Sequence, residues 1–282
     1  MTQSHRLLLT AALLLAAPLL HANVSESSIN KQLGGLRAVP DAQRPAAAKQ
    51  IAADIRTLPA GKSKLQCADG LVHLVTEGDL GADTVQAAAD ALSEALAGSP
   101  VPAKGDDPPM PYMDLARLVR YEHVTATLND PLYAKALEKL KKEEEEIQKA
   151  DFTLKDMHGK KYTLSELKGK IVMVNFWATW CGPCRMEMNS LDWFYTKFAP
   201  QGLVILSITS EDPFKVASFL GPINYHPPVL LDQGGKVSNL FHVTGVPKTF
   251  LFGRDGKLLD VAIDARTGKQ FAQMLSVTDL HP

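Results

Sequence analysis

The chain has 282 residues, 45% of them apolar and 22% charged, with a formal net charge of −1. That length allows about two domains, and the composition is that of a folded globular protein. The near-neutral balance argues against nucleic-acid binding, which shows as a basic excess; three cysteines are too few for a small secreted disulfide scaffold.

Met1–Arg6 is short and basic, Leu7–Leu20 is apolar, and His21-Ala22-Asn23 follows. This is the order of a secretory signal, with cleavage expected after Ala22. A membrane anchor competes with that reading. However, a span takes about 20 apolar residues, and Pro18 interrupts this stretch. No cysteine follows the cut, so no lipid anchor is expected there. The mature chain is expected to be exported, periplasmic in a bacterium, and without a transmembrane span. Residues 23–45 are polar and lack a clear period, which predicts a flexible leader.

Residues 46–149 read as an all-α domain. Ala48, Ile51, Ala52, Ile55 and Leu58 repeat as one helix face up to Gly61. A second helix is expected over about 65–75 and a third over about 84–97, with Asp83 as N-cap and Gly98 as stop. Five prolines between Ser99 and Pro111 predict an extended loop. A fourth helix is expected from Tyr112 to Leu128. Asp130-Pro131, a cap followed by proline at the first helical position, opens a fifth that runs to about Lys149. The charge run Glu138–Glu146 reads as a solvated helix face with pairs such as Glu138–Lys142 and Glu145–Lys149. Cys67 shares a face with Leu71 and Leu74, which favours core packing over a reactive thiol.

From Asp151 the pattern changes to strands. Phe152–Leu154 and Lys161–Leu164 flank a turn at Asp156–Gly159, a hairpin signal. Ile171–Trp180 is a near-continuous apolar run, as in a strand buried on both faces. Met188, Leu191, Tyr195 and Phe198 then carry a helical period. Strands are expected at Leu203–Ile208, Val229–Asp232, Lys248–Phe252 and Lys257–Ile263. Helices are expected at Asp212–Leu220, Val237–Phe241 and Gly268–Leu275. Alternating strands and helices predict an α/β domain with a mixed sheet over residues 150–282.

Cys181-Gly182-Pro183-Cys184 falls where the buried strand turns into a helix. A helix N-terminus presents unpaired N–H groups and the positive end of the dipole. A cysteine there, or in a C-x-x-C, drops from a pKa of about 8.5 to roughly 3.5–7.5. Cys181 is the expected nucleophile and Cys184 the resolving thiol that releases a mixed disulfide. One C-x-x-C gives two thiolates, whereas a closed zinc site needs four ligands, so no metal is expected. Arg185 after Cys184 excludes c-type haem attachment. His158, His226 and His242 have no ligand spacing around them.

Asn175-Phe176-Trp177-Ala178-Thr179-Trp180-Cys181-Gly182-Pro183-Cys184-Arg185 resembles the active-site stretch of the thioredoxin superfamily, and its longer frame resembles the TlpA/ResA branch. The resemblance spans roughly residues 150–275. It implies a thioredoxin-like fold and an exported thiol–disulfide oxidoreductase with no cofactor beyond the dithiol. It also implies a protein disulfide as substrate and a membrane thiol carrier as electron donor. Cytochrome c maturation and the upkeep of secreted thiols are roles of that branch. Val246-Pro247 resembles the family's cis-proline loop, so its backbone is expected beside the cysteines, pairing with an extended substrate. Trp180, Gly182 and Pro183 would complete the binding surface. Asn175 stands where thioredoxin has a buried aspartate. Glu187, three residues after Cys184, matches a functional glutamate of this branch and could take the proton of the resolving thiol. Gly182-Pro183 matches thioredoxin and favours a reductase.

Two other functions compete. Peroxiredoxins place a threonine three residues before the reactive cysteine and a proline seven before; here those places hold Ala178 and Val174. The helical half could instead be a partner-binding module with the redox domain as accessory.

Overall fold

The computed structural model describes residues 24–281. The expected signal segment and its cleavage after Ala22 lie outside the described residues. Six helices come first: α1 (Glu26–Gly35), α2 (Arg44–Thr57), α3 (Lys62–Val75), α4 (Ala82–Gly98), α5 (Met110–Tyr121) and α6 (Pro131–Lys149). Among the described residues no helix is long and apolar enough to cross a membrane.

Three expectations for this half are corrected. The flexible leader is not one: Ser25 and Ser28 form a capping box that opens α1, and Ile29 and Leu36 are fully buried. Ile29, Leu33 and Leu36 lie three and four apart, but their partners come from other helices, so the stretch looks polar by itself. The fourth helix ends at Tyr121, not Leu128, because His123 takes a left-handed backbone (φ 55°) and Val124 turns into the core. The third helix is capped by Gly81, with Asp83 in its first turn.

The cap at Asp130 is present: its side chain accepts from the Leu132 N–H and from the Tyr112 hydroxyl. The acidic run of α6 pairs mostly outward rather than along the helix. Arg120 grips Glu144 through two hydrogen bonds, His242 meets Glu146 at 2.8 Å, and Lys139 meets Asp107 at 2.6 Å. Cys67 is buried, with its Sγ 3.6 Å from Asn30 Oδ1, and burial raises its pKa.

The second half holds a hairpin of β1 (Thr153–Lys155) and β2 (Lys161–Thr163), then a five-stranded sheet. Its strands are β3 (Ile171–Phe176), β4 (Leu203–Thr209), β5 (Val229–Leu231), β6 (Lys248–Phe252) and β7 (Leu258–Ala262), in the order β5-β4-β3-β6-β7. β3, β4 and β5 run parallel; β6 and β7 are antiparallel additions. Four helices accompany it: α7 (Gly182–Phe198), α8 (Pro213–Leu220), α9 (Lys236–Leu240) and α10 (Gly268–Leu275). This is the thioredoxin-like arrangement that the motif implies, with the mixed sheet expected.

Strand alternation assigns the two faces. Val172, Val174 and Phe176 of β3, with Leu206, Ile208, Phe250 and Phe252, join a core continuous with that of the helical region. Ile171, Met173, Leu203, Ile205 and Leu251 turn the other way, onto Leu191, Phe194, Phe198 and Phe271 of α7 and α10. Phe194 thus takes the buried place in α7, while Tyr195 is half-buried. On that same face the apolar rows end in three polar residues. Asn175 stands opposite Ser207 of β4 and opposite Thr249 of β6.

Candidate active site

The first cysteine is the N-cap of α7. β3 ends at Phe176, four residues carry the chain over the sheet edge, and Cys181 keeps an extended backbone (φ −79°, ψ 105°). Its Sγ accepts from the Cys184 N–H at 3.2 Å, as a capping oxygen would. Pro183 in the first turn needs no N–H. The first turn has no acidic residue, so nothing there opposes the positive end of the helix.

Cys181 and Cys184 are joined as a disulfide, with Cα atoms 5.3 Å apart. The two are not equivalent: Cys181 is 4% exposed and Cys184 is fully enclosed. Trp180 beside them is 69% exposed, whereas Trp177 is buried against Phe219. The approach to Cys181 is anchored from the next parallel strand. Glu211, just past β4, accepts hydrogen bonds from both the Thr179 N–H and its hydroxyl, and pairs with Lys215. Burial works to raise the pKa of Glu211, but these donors outweigh it and hold the group below its ordinary value. Nothing in the local sequence marks Glu211; it is placed by β3 and β4 ending at the same edge.

The Val246–Pro247 peptide is cis, and the Val246 carbonyl oxygen lies 3.5 Å from Cys181 Sγ. Among the described residues, the Val246 N–H makes no backbone hydrogen bond. Gly182 and Pro183 are half-buried in the first turn of α7. Cys181 thus lies between the exposed Trp180, the half-buried Gly182 and Pro183, and the Val246 carbonyl, while Cys184 is fully buried.

Glu187 is buried beneath the disulfide rather than beside the exposed Trp180. It is 2% exposed, one turn below Cys184, and faces the polar row of the sheet. Its Oε1 accepts from Asn175 Nδ2 at 2.8 Å, and its Oε2 accepts from the Arg266 N–H at 3.2 Å. Asn175 Nδ2 also donates to Thr249 Oγ1. Ser207 and Tyr225 share a hydrogen bond at 2.6 Å in the same layer. Burial raises the Glu187 carboxyl to a pKa of about 8. The bonds from Arg266 and Asn175 oppose that rise, and nearby Asp264 adds to it.

A second titratable cluster lies in the helical region. Asp69, His73 and Asp114 bring their ligand-type atoms within 4.8 Å of one another. Arg117 already stands 2.7 Å from Asp114 and supplies the positive charge, so the cluster reads as an ion network.

Comparison with known proteins bears on the second half. The AhpC/TSA family model matches residues 147–261. The thiol-disulfide oxidoreductase ResA of Bacillus thuringiensis (strain Al Hakam) is 35% identical over 121 residues, which cover 43% of this chain and 70% of that protein. The chain belongs to the ResA family of thiol-disulfide oxidoreductases. ResA of Bacillus subtilis is 36% identical over 118 residues, covering 42% of this chain and 66% of that protein. Among solved structures, the exposed lipoprotein thioredoxin of Streptococcus pneumoniae aligns at 27% identity and a TM-score of 0.42, over 45% of this chain and 99% of that one. The protein is thus a redox enzyme, and its AhpC/TSA match begins only near the end of α6.

Proposed function

We propose that this enzyme reduces protein disulfides outside the cytoplasm, with Cys181 as nucleophile and Cys184 as resolving thiol. The observation that carries the order of attack is the unequal exposure of the two cysteines: Cys181 is 4% exposed beside the exposed Trp180, and Cys184 is fully enclosed. The Cys181 thiolate attacks a substrate disulfide and forms a mixed disulfide, and the leaving thiolate takes a proton. Cys184 then loses its proton and attacks Cys181 Sγ. The enzyme disulfide forms and the second substrate thiolate leaves. Two electrons pass to the substrate, and the dithiol carries both without a cofactor.

Glu187 is the proposed acceptor of the Cys184 proton. Its pKa of about 8 lies close to that of an ordinary thiol, about 8.5. A carboxyl raised this far is a better acceptor for a thiol proton than an ordinary carboxylate. The same carboxyl returns the proton to Cys184 when an electron donor reopens the disulfide. The Val246 backbone offers an edge for an extended substrate, and Trp180 an exposed aromatic surface beside it. Such a substrate includes the cysteine pair of an unfolded cytochrome c. The basic-then-apolar order of residues 1–22 supports export, and an exported reductase needs a membrane thiol carrier to recharge it.

The test is trapping. Incubated with a protein disulfide, reduced Cys184→Ser accumulates a mixed disulfide through Cys181, and Cys181→Ser forms none. Adduct formation by Cys181→Ser at the wild-type rate would reverse the assignment. N-terminal sequencing of protein recovered from a periplasmic extract, beginning at Asn23, tests export; an intact Met1 would refute it.

A further inference from the structure

One place where the helical region meets the redox site is the loop of residues 263–267, between β7 and α10. The turn after α3 ties down the start of this loop. Thr76 Oγ1 donates to Asp264 Oδ2 at 3.1 Å, and the Gly78 N–H donates to the Ala265 carbonyl at 3.2 Å. Gln270 and Lys269 of α10 bond Gly78 and Asp79 of the same turn. From the end of α5, Glu122 takes the Arg266 guanidinium in a two-point grip, at 3.1 Å from Nη1 and 2.5 Å from Nη2. The two side chains are only 10% and 11% exposed. A buried pair of this kind fixes geometry because neither charge can leave its partner cheaply.

Arg266 is also the residue whose backbone N–H bonds Glu187 Oε2. We propose that Glu122 is a positioning residue of the redox site: by pairing with Arg266, whose backbone N–H bonds Glu187, it compensates the guanidinium charge beside that carboxyl and so makes the helical region set its proton affinity. The inference rests on Glu187 being the relevant carboxyl, not on its role in proton transfer.

The groups facing Glu187 are few. β3 contributes Asn175, which links it to Thr249 of β6. The loop contributes Asp264 and Arg266, and Tyr225 approaches from before β5. Cys184 lies on the same helix. Arg266 is the one cation in this set. With Glu122 in place its charge is compensated; without Glu122 the uncompensated guanidinium favours the Glu187 carboxylate. Removing the guanidinium itself does the opposite.

The test uses the full chain in its oxidised form, labelled with 13C at glutamate carboxyl carbons and titrated by NMR, with thermal unfolding to verify folding. The Glu187 signal is the one lost in Glu187→Gln. Glu122→Gln is expected to lower its midpoint by about one pH unit, tenfold in proton affinity. Arg266→Gln is expected to raise it, and Glu122→Asp to restore most of the wild-type value. A loop that merely loosened would move both glutamine variants the same way; that result, or an unmoved midpoint in folded Glu122→Gln, overturns the inference. The pH profile of single-turnover disulfide reduction is read in parallel. If the NMR midpoints move as stated and the rates do not follow, the positioning stands and the proton-transfer role of Glu187 falls.

Discussion

Glu187→Gln tests the electrostatics of the site through stability. The oxidised protein is the right form, because Cys181 and Cys184 do not titrate in it, and the free Cys67 is common to both proteins compared. In the folded state Glu187 holds its proton up to about pH 8, against an ordinary value of 4.5. Between those limits the native state binds a proton that the unfolded chain has released, so wild-type stability falls as pH rises through this window. Below pH 4.5 the effect is absent, and above pH 8 the loss is complete. At about 1.36 kcal/mol per unit, the shift sets an upper bound of about 5 kcal/mol. Structural relaxation and an effective dielectric above that of dry protein reduce this to about 2–4 kcal/mol.

The amide variant has no proton to lose. Its Nε2 can be accepted by Asn175 if that side chain flips, with the Thr249 hydroxyl reversing its role, so the polar row stays satisfied. Urea unfolding from pH 5 to 9 measures both proteins, and Asp69, which titrates in each, drops out of the difference. The variant is expected to gain about 2–4 kcal/mol on wild type across that range. A difference that stays flat would refute the raised carboxyl and with it the proton-acceptor role proposed for Glu187 in the resolving step.

Other expectations concern the frame. Ile29→Ala should cost about 2–5 kcal/mol in denaturant unfolding, because Ile29 is fully buried; a neutral result would return residues 23–45 to the flexible leader. Phe241→Ala should cost about 3–5 kcal/mol, since its ring is enclosed by Phe152, Phe176, Phe250 and Phe252 at centroid distances of 5.2 to 6.3 Å. Asp130→Ala removes the α6 cap and the Tyr112 partner together, and a loss of about 0.5–2 kcal/mol in the same assay is expected.

The redox half was readable because its information is local. Ile171–Phe176 is apolar but for Asn175, and Cys181 follows at the turn into a helix whose buried residues recur with its period. The helical half was readable where a helix carries its own apolar face, as in α2 and α4, and where Asp130-Pro131 marks a start. It was misread where burial depends on distant partners. Ile29 and Leu36 sit among polar neighbours, and Val124 is buried outside any helix. The setting of Glu187 is partly legible, since Asn175 is a polar break in an apolar strand. Arg266 and Glu122 are not, because 144 positions separate them and neither stands out from its neighbours.

The direction of electron flow is the central claim, and the reduction potential of Cys181–Cys184 tests it most directly. The mature protein would be equilibrated against glutathione or dithiothreitol, with Cys184→Ser as control. A reductase fed from a membrane carrier predicts a value near that of thioredoxin, about −270 mV. A value near about −120 mV would contradict the account, because such a pair takes electrons from substrate thiols and makes disulfides.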